Sequence, residues 1–170
     1  MKKYILIIIP VLFFIQCNKD KSDFEIIYNT NFNIMPGISF LTTENIAVEI
    51  PNFNIQQRLA VEGYTPDEIA RIDARSLRFD IISGGDFAFL DRVRMMIRTD
   101  DLPEIEIGYL EPVPDNIGSS LDLIPSITDV TEYVKSDIFT VVFKMDAKYS
   151  TSQILNVRVY LSFNAFAEGE

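Results

Sequence analysis

An arginine-rich stretch is the part of this chain whose residue types are best suited to binding a ligand. It contains six arginines: Arg71, Arg75, Arg78, Arg92, Arg94 and Arg98. The last three alternate with apolar residues, so we expect them to project from one solvated face of a single strand. Guanidinium groups hold carboxylates and sulfates through paired hydrogen bonds, so Arg92, Arg94 and Arg98 could bind an acidic protein or an anionic glycan. We favour the alternative that they are solvated residues paired with carboxylates on neighbouring strands.

Clustered carboxylates offer a second type of chemistry. Four lie close together in the sequence: Asp100, Asp101, Glu104 and Glu106. Calcium prefers such oxygen ligands, but no D-x-[DN]-x-[DN]-G loop is present, and turn formation accounts for Asp100 and Asp101. The same group, or Asp129 with Glu132, could supply the acid and nucleophile of a glycosidase, although nothing in the sequence marks a cleft. We therefore predict no metal site and no catalytic residue.

Histidine is absent and cysteine occurs once, which removes most other catalytic arrangements. Without histidine, neither a Ser-His nor a Cys-His pair can form, and the commonest metal ligand is missing. The segment Ser83-Gly84-Gly85-Asp86 lacks the frame of a phosphate-binding loop and is best interpreted as a turn. We predict a protein that is not an enzyme and that carries no cofactor.

The N-terminus has the features of an export signal. Lys2 and Lys3 precede an apolar run over residues 5–15, which is shorter than the roughly 20 residues of a membrane-spanning helix. No pair of small residues marks an ordinary cleavage site. The run ends instead in Phe14-Ile15-Gln16-Cys17, followed by a polar stretch. This segment resembles the lipobox of bacterial lipoproteins, and the resemblance covers about the first 20 residues.

The resemblance implies that Cys17 receives a diacylglycerol anchor and becomes the first residue after cleavage. The implied organisation is a signal peptide over 1–16, a lipidated tether over 17–23 and one domain over 24–170. The protein would then be held in the cell envelope, at the outer membrane, facing the periplasm or the surface. The alternative is that Cys17 is a free thiol beside an uncleaved signal anchor. Without residues 1–16 the net charge is −12, which argues against a nucleic-acid partner.

Alternation of apolar and polar residues predicts short β-strands through the rest of the chain. The predicted inward rows are Ile46/Val48/Ile50, Leu77/Phe79/Ile81, Val93/Met95/Ile97, Ile105/Ile107/Tyr109, Leu121/Leu123, Phe139/Val141/Phe143/Met145 and Val157/Val159/Leu161/Phe163. After Pro51 the alternation slips by one residue, which predicts a bulged or edge strand through Phe53 and Ile55. Met96, Val142 and Tyr160 would point outward and could together form a partner surface.

Two connections have predicted partners. A five-residue loop over 99–103 predicts a hairpin that pairs Arg98 with Glu104, Ile97 with Ile105, Met95 with Ile107 and Val93 with Tyr109. The stretch 148–153 predicts a turn between the last two inward rows. Two short helices are also expected, one of two turns from Thr65 to Arg71 or Ile72, and one of a single turn over 130–134.

Together these elements predict an antiparallel β-sandwich, immunoglobulin-like or jelly-roll-like, with one or two short helical turns. Thirteen phenylalanines provide enough apolar bulk for the core of a domain of this size. Three functions remain open: a lipid-anchored binding or scaffold module with an envelope protein or glycan partner, a carrier of an apolar ligand between the sheets, and a carboxylate-based hydrolase. A solid core would favour the first, and a continuous apolar cavity would favour the second.

Overall fold

The protein is built mostly from antiparallel β-strands, so the predicted all-β class is confirmed. A computed structural model describes residues 24–50, 55–136 and 138–167. Its strands are β1 Phe24–Ile34, β2 Glu44–Ile50, β3 Ile69–Ser83, β4 Leu90–Arg98, β5 Ile105–Leu110, β6 Ser120–Pro125, β7 Phe139–Ala147 and β8 Leu155–Ala167. Its helices are α1 Ile55–Glu62 and α2 Thr131–Lys135, with a 3₁₀ turn over Pro66–Glu68.

The eight strands form a nearly closed sheet in the order β1-β8-β3-β6-β5-β4-β7-β2, and every described neighbour pair is antiparallel. Strands β5 and β6 share only two residue pairs, so the sheet is narrow between its first and last four strands. Aromatic contacts link strands that are not neighbours. Phe32 of β1 stacks on Phe143 of β7 with ring centroids 4.7 Å apart, and Tyr28 meets Phe139 edge-on at 5.7 Å. The sheet therefore curves around one core.

The predicted inward rows of β3, β4, β6, β7 and β8 are confirmed. All of their members are buried except Ile81, which is partly exposed. In β2 only Ile50 is fully buried. Burying branched and aromatic side chains contributes roughly 1.5–3 kcal/mol each, so these rows are the main source of stability.

The predicted register of the β4–β5 hairpin is correct only next to the loop. Ile97 lies opposite Ile105, but a bulge after that point pairs Met95 with Gly108 and Val93 with Leu110. Ile107 is fully buried, whereas Tyr109 turns outward. The observed register requires glycine at position 108, because a Cβ there would lie 2.3 Å from Cδ1 of Leu77.

The connection over 148–154 does not join a hairpin, so this part of the prediction is wrong. Strand β7 pairs with β4 and β2, whereas β8 pairs with β1 and β3. The chain crosses from one half of the sheet to the other. Alternation identifies the buried face of each strand but not its neighbours. Strands β7 and β8 bury their apolar faces equally well whichever strands they pair with.

Two of the expected local elements also differ. Ile55 begins helix α1 instead of continuing a strand, because Ile55 and Leu59 are one helical turn apart and both are buried. Residues 51–54, including Phe53, lie outside the described residues. The helix at Thr65 is a single 3₁₀ turn in which the Thr65 amide donates to Glu68 Oε2 at 2.8 Å. The chain then enters β3 at Ile69. The predicted single-turn helix near residue 130 is confirmed as α2.

The connections between the strands lie at two opposite ends of the sheet. Strand β1 begins at Phe24 opposite Ala165 and ends at Ile34 opposite Leu155. Because the strands alternate in direction, four connections lie at the same end as Ile34: residues 35–43, 84–89, 111–119 and 148–154. We call this the loop end and call the end with Phe24 the entry end.

Helix α1 lies against β1, an edge strand of the sheet. Arg58 Nη1 donates to the carbonyl oxygen of Ile27 at 2.9 Å, and its guanidinium lies 4.7 Å from the centroid of the Tyr28 ring. An exposed strand edge is a template for unwanted pairing with other chains. By occupying a backbone acceptor of β1, Arg58 reduces that risk.

Candidate functional sites

The arginine row lies where the alternation places it, on the outer face of β4. Arg92, Arg94 and Arg98 are exposed, and the intervening Val93 and Met95 are buried in the core. The row therefore faces solvent.

Carboxylates from neighbouring segments surround the first two members of this row. Arg92 Nε lies 2.7 Å from Asp146 Oδ2, and its Nη1 lies 3.6 Å from Glu111. Arg94 contacts Glu111 at 3.3 Å and Glu106 at 3.9 Å. Attraction by Asp146 raises the pKa of the Arg92 guanidinium. These partners occupy the donors that an anionic ligand would need.

Arg98 differs from the other two. It lies opposite Thr140 of β7 and forms no ion pair with any other described residue. Its expected partner Glu104 binds Lys144 instead. The outer face of β4 is thus a mosaic of both charges, an arrangement typical of a solvated sheet face.

The mosaic leads to a prediction for the triple variant Arg92→Ala, Arg94→Ala, Arg98→Ala. Exposed ion pairs contribute little to stability, so we expect the free energy of unfolding to change by no more than about 1 kcal/mol. The variant should also retain the wild-type set of envelope proteins and glycans in a pull-down. Loss of one specific ligand, together with weaker wild-type capture at high salt, would instead identify the row as a binding site.

Of the predicted outward apolar residues, Val142 is much less exposed than expected. It is only 5% exposed, because it lies between Ala47 of β2 and Met96 of β4 and neighbouring side chains cover it. Met96 and Tyr160 are partly exposed and lie on different halves of the sheet. These three residues therefore form no common partner surface.

The carboxylates considered for calcium are separated by their own partners. Glu104 binds Lys144, and Glu106 lies near Arg94 and accepts a hydrogen bond from Ser126 at 3.3 Å. Among the described residues, no group of three or more potential metal ligands comes together.

Asp129, considered together with Glu132 as the acid and nucleophile of a glycosidase, has a structural role. Its Oδ1 accepts hydrogen bonds from the Thr131 hydroxyl and from the Thr131 amide, the latter at 2.9 Å. Thr131 Oγ1 accepts in turn from the Ile72 amide at 2.7 Å, which ties α2 to β3. Partial burial raises the pKa of Asp129, but the hydrogen bonds outweigh it and hold the pKa below its usual value. A general acid needs the opposite shift.

The loop end carries a cluster of exposed apolar side chains that the sequence analysis missed. Its members are Met35, Phe40, Leu41, Tyr149 and Ile154. The most exposed are Leu41 at 80% and Phe40 at 62%. Exposed apolar patches on a protein often mark interaction sites. We call this set the loop-end cluster.

Hydrogen bonds to backbone carbonyl oxygens tie together the two connections that carry the cluster. The Gly37 amide donates to the Thr151 carbonyl oxygen at 3.1 Å, and Ser150 Oγ donates to the Ile38 carbonyl oxygen at 2.6 Å. The Lys148 amide also donates to the carbonyl oxygen of Phe89 at 2.7 Å, which adds the connection over 84–89. Three connections distant in sequence therefore form one surface, and no local pattern could have indicated it.

A cleft of about 250 Å³ lies between the connections over 84–89 and 148–154. Gly84 and Gly85 form one wall with φ angles of 111° and 140°. A Cβ on Gly84 would lie 2.5 Å from the Ile154 carbonyl oxygen, so glycine is required there. Gln153 donates its side-chain amide to the Gly84 carbonyl oxygen, which holds the two walls together. The turn predicted at Ser83-Gly84-Gly85-Asp86 thus forms part of a cleft.

The core holds much less open space. The cavity between Phe32, Phe79 and Met145 has a volume of about 10 Å³. That is about the volume needed for one water molecule, so no apolar ligand fits there.

Comparison with known proteins adds no functional information. No protein-family model matches the sequence, and a search of curated proteins finds no match either. Within the described residues, no helix has the length and apolar character needed to cross a membrane.

Proposed function

We propose that this protein is a non-catalytic binding module of the bacterial cell envelope, anchored by lipid at Cys17 and binding its partner at the loop end. Cys17 lies outside the described residues, so the anchor rests on the lipobox-like segment. The observation that carries the proposal is the loop-end cluster, which lies on the face opposite the point where the chain enters the domain.

The short tether determines which end of the sheet faces the membrane. Six residues separate Cys17 from Phe24, so the chain spans at most about 25 Å between them. The anchor thus keeps the entry end close to the membrane surface. The loop end, about one strand length further away, is free to meet a partner.

We also infer that the curved sheet is a β-sandwich with β1-β8-β3-β6 as one layer and β5-β4-β7-β2 as the other. Contacts of Phe143 in β7 with Phe32 and Phe79 in β1 and β3 support this division. The two-pair contact between β5 and β6 would form the corner between the layers.

The small core cavity supports a binding module over a carrier of apolar ligands. The structural role of Asp129 and the ion pairs of Glu104 and Glu106 argue against the carboxylate-based hydrolase. A rigid sheet that presents loops at one end is a common way of building a recognition surface.

The anchor is tested by metabolic labelling with a fatty-acid probe. We expect the wild-type protein to incorporate the label and the Cys17→Ser variant to incorporate none, because the thiol is the acylated group. Labelling that persists in Cys17→Ser would overturn the lipoprotein assignment.

The binding face is tested by photo-crosslinking in intact cells. A benzophenone amino acid at Leu41 should form an adduct with the partner on irradiation, because this position is exposed within the loop-end cluster. The matched control is the same amino acid at Ala47, an exposed position on the side of the sheet. Equal adduct formation at both positions, or none at Leu41, would contradict binding at the loop end.

A further inference from the structure

We propose that the loop-end cleft binds a single unit of a neutral saccharide, with Tyr149 as the platform for the sugar ring. This inference rests on the proposed function and assigns a chemical class to its ligand. It is drawn from the shape, the polar groups and the charge of the cleft.

The cleft is held in shape before any ligand binds. The Gln153 amide spans it to the Gly84 carbonyl oxygen, and the Asp86 carboxylate accepts from the Ala88 amide at 3.0 Å to fix the turn. On the other wall, Ser150 and Thr151 are tied to the connection over 35–43. A preformed site avoids the entropic cost of ordering loops on binding.

The polar groups of the cleft suit a ligand rich in hydroxyls. The exposed Ser152 hydroxyl can both donate and accept, and the side-chain oxygen of Gln153 can accept while its amide nitrogen is bound to Gly84. Thr151 Oγ1 is buried without a hydrogen-bond partner among the described residues. A buried polar atom left in this state costs about 1–3 kcal/mol, which a hydrogen bond from a ligand hydroxyl would recover.

Tyr149 supplies the apolar surface that a sugar ring also needs. Its side chain is 52% exposed and lies at the cleft. One face of a pyranose ring presents C–H groups, which lie well on the face of an aromatic ring. The tyrosine hydroxyl can remain in water while the ring makes this contact.

The charge of the cleft favours a neutral ligand over an anionic one. Asp86 is the only charged residue among those described as lining it. The nearby Lys148 amine is already bound, to Asp115 Oδ1 at 2.6 Å and to the Val113 carbonyl oxygen at 3.0 Å. Because the described residues place no unpaired cation at the site and the domain is strongly acidic, a sulfated or carboxylated sugar would be repelled.

The size of the cleft limits the ligand to one sugar unit. Pockets for drug-sized ligands are about 300–1,000 Å³, and this cleft is smaller. It is also open to solvent, so the rest of a polysaccharide could extend away from it.

The test uses the full-length protein in detergent micelles and biolayer interferometry on immobilised dextran, β-glucan, mannan and xylan, with polygalacturonate as the charged comparison. We expect capture by at least one neutral polysaccharide, with little sensitivity to salt. The Tyr149→Ala variant should weaken that capture at least tenfold. The matched control Tyr109→Ala, which removes an exposed tyrosine from the side of the sheet, should stay within twofold of wild type.

A second variant keeps the test independent of the tyrosine. Ser152→Trp places a bulky side chain at an exposed position of the cleft and should block the same capture without unfolding the domain, as checked by circular dichroism. No capture by any neutral polysaccharide, preferential capture by polygalacturonate, or equal losses in Tyr149→Ala and Tyr109→Ala would overturn the inference. If Leu41 nevertheless crosslinks to a protein, the proposed binding module stands and only its saccharide ligand is rejected.

Discussion

The Val141→Asp variant is expected to lose at least about 4 kcal/mol of its free energy of unfolding, enough to unfold much of the protein. Val141 is fully buried in β7, so the new carboxylate would lie in the core without a partner. Val159→Asp should behave in the same way, because Val159 is equally buried in β8. Urea denaturation of the purified variants measures the change.

The control for this prediction is the adjacent residue. Thr140 is partly exposed and lies between Glu49 of β2 and Arg98 of β4 on the outer face. An aspartate at this position remains in water, so Thr140→Asp should change stability by no more than about 0.5 kcal/mol. Similar losses in Thr140→Asp and Val141→Asp would show that the inward face of β7 is wrongly assigned.

The Gly108→Ala variant is expected to lose about 1–3 kcal/mol although it adds only one methyl group. The new Cβ would lie 2.3 Å from Cδ1 of Leu77 and 3.1 Å from the backbone oxygen of Ile124. Leu77 is buried in the core, so its side chain has little room to move. Thermal or urea denaturation gives the difference from wild type.

Gly118→Ala is the matched control, because nothing lies within 4 Å of the Cβ that it adds. Its stability should stay within about 0.5 kcal/mol of wild type. The variant Leu77→Val, which lacks the clashing Cδ1, should make the Gly108→Ala change less costly in a double-mutant cycle. If the two glycine variants lose equal stability, close packing between β5 and β3 is not the reason for glycine at position 108.

The sequence was most informative where a structural property depends on neighbouring residues alone. Alternation with a period of two identified the buried faces of β3, β4, β7 and β8, because successive side chains of a strand point to opposite sides. The same rule placed Arg92, Arg94 and Arg98 on one solvated face. It could not show that Arg92 and Arg94 are paired with Glu111. That contact depends on the path of the connection after β5, to which Glu111 belongs.

The errors in the predicted fold share a physical cause. Ile105, Ile107 and Tyr109 alternate regularly, yet the bulge before Gly108 buries Ile107 and exposes Tyr109. In this register Gly108 packs against Leu77, which lies 31 residues earlier in the chain. Likewise, β7 and β8 each bury the expected row, but their partners are strands from other parts of the chain.

The candidate binding surface depended entirely on tertiary structure. Within the sequence, Phe40 and Leu41 belong to one polar-flanked connection, and Tyr149 belongs to another more than 100 residues away. Neither segment has a motif that indicates a site. They become one surface because β1 is paired with β8 along the whole of β1, which brings the connections after β1 and before β8 together.

The sequence by itself therefore determined the all-β class, the faces of most strands and the solvated position of the arginine row. Each of these follows from steric and solvation effects within a few consecutive residues. Tertiary structure alone decided which strands are neighbours, where the β4–β5 register shifts and how three connections form the loop-end cleft. Those features depend on packing between segments far apart in the chain, and the free energy of that packing belongs to the pair of segments rather than to either one.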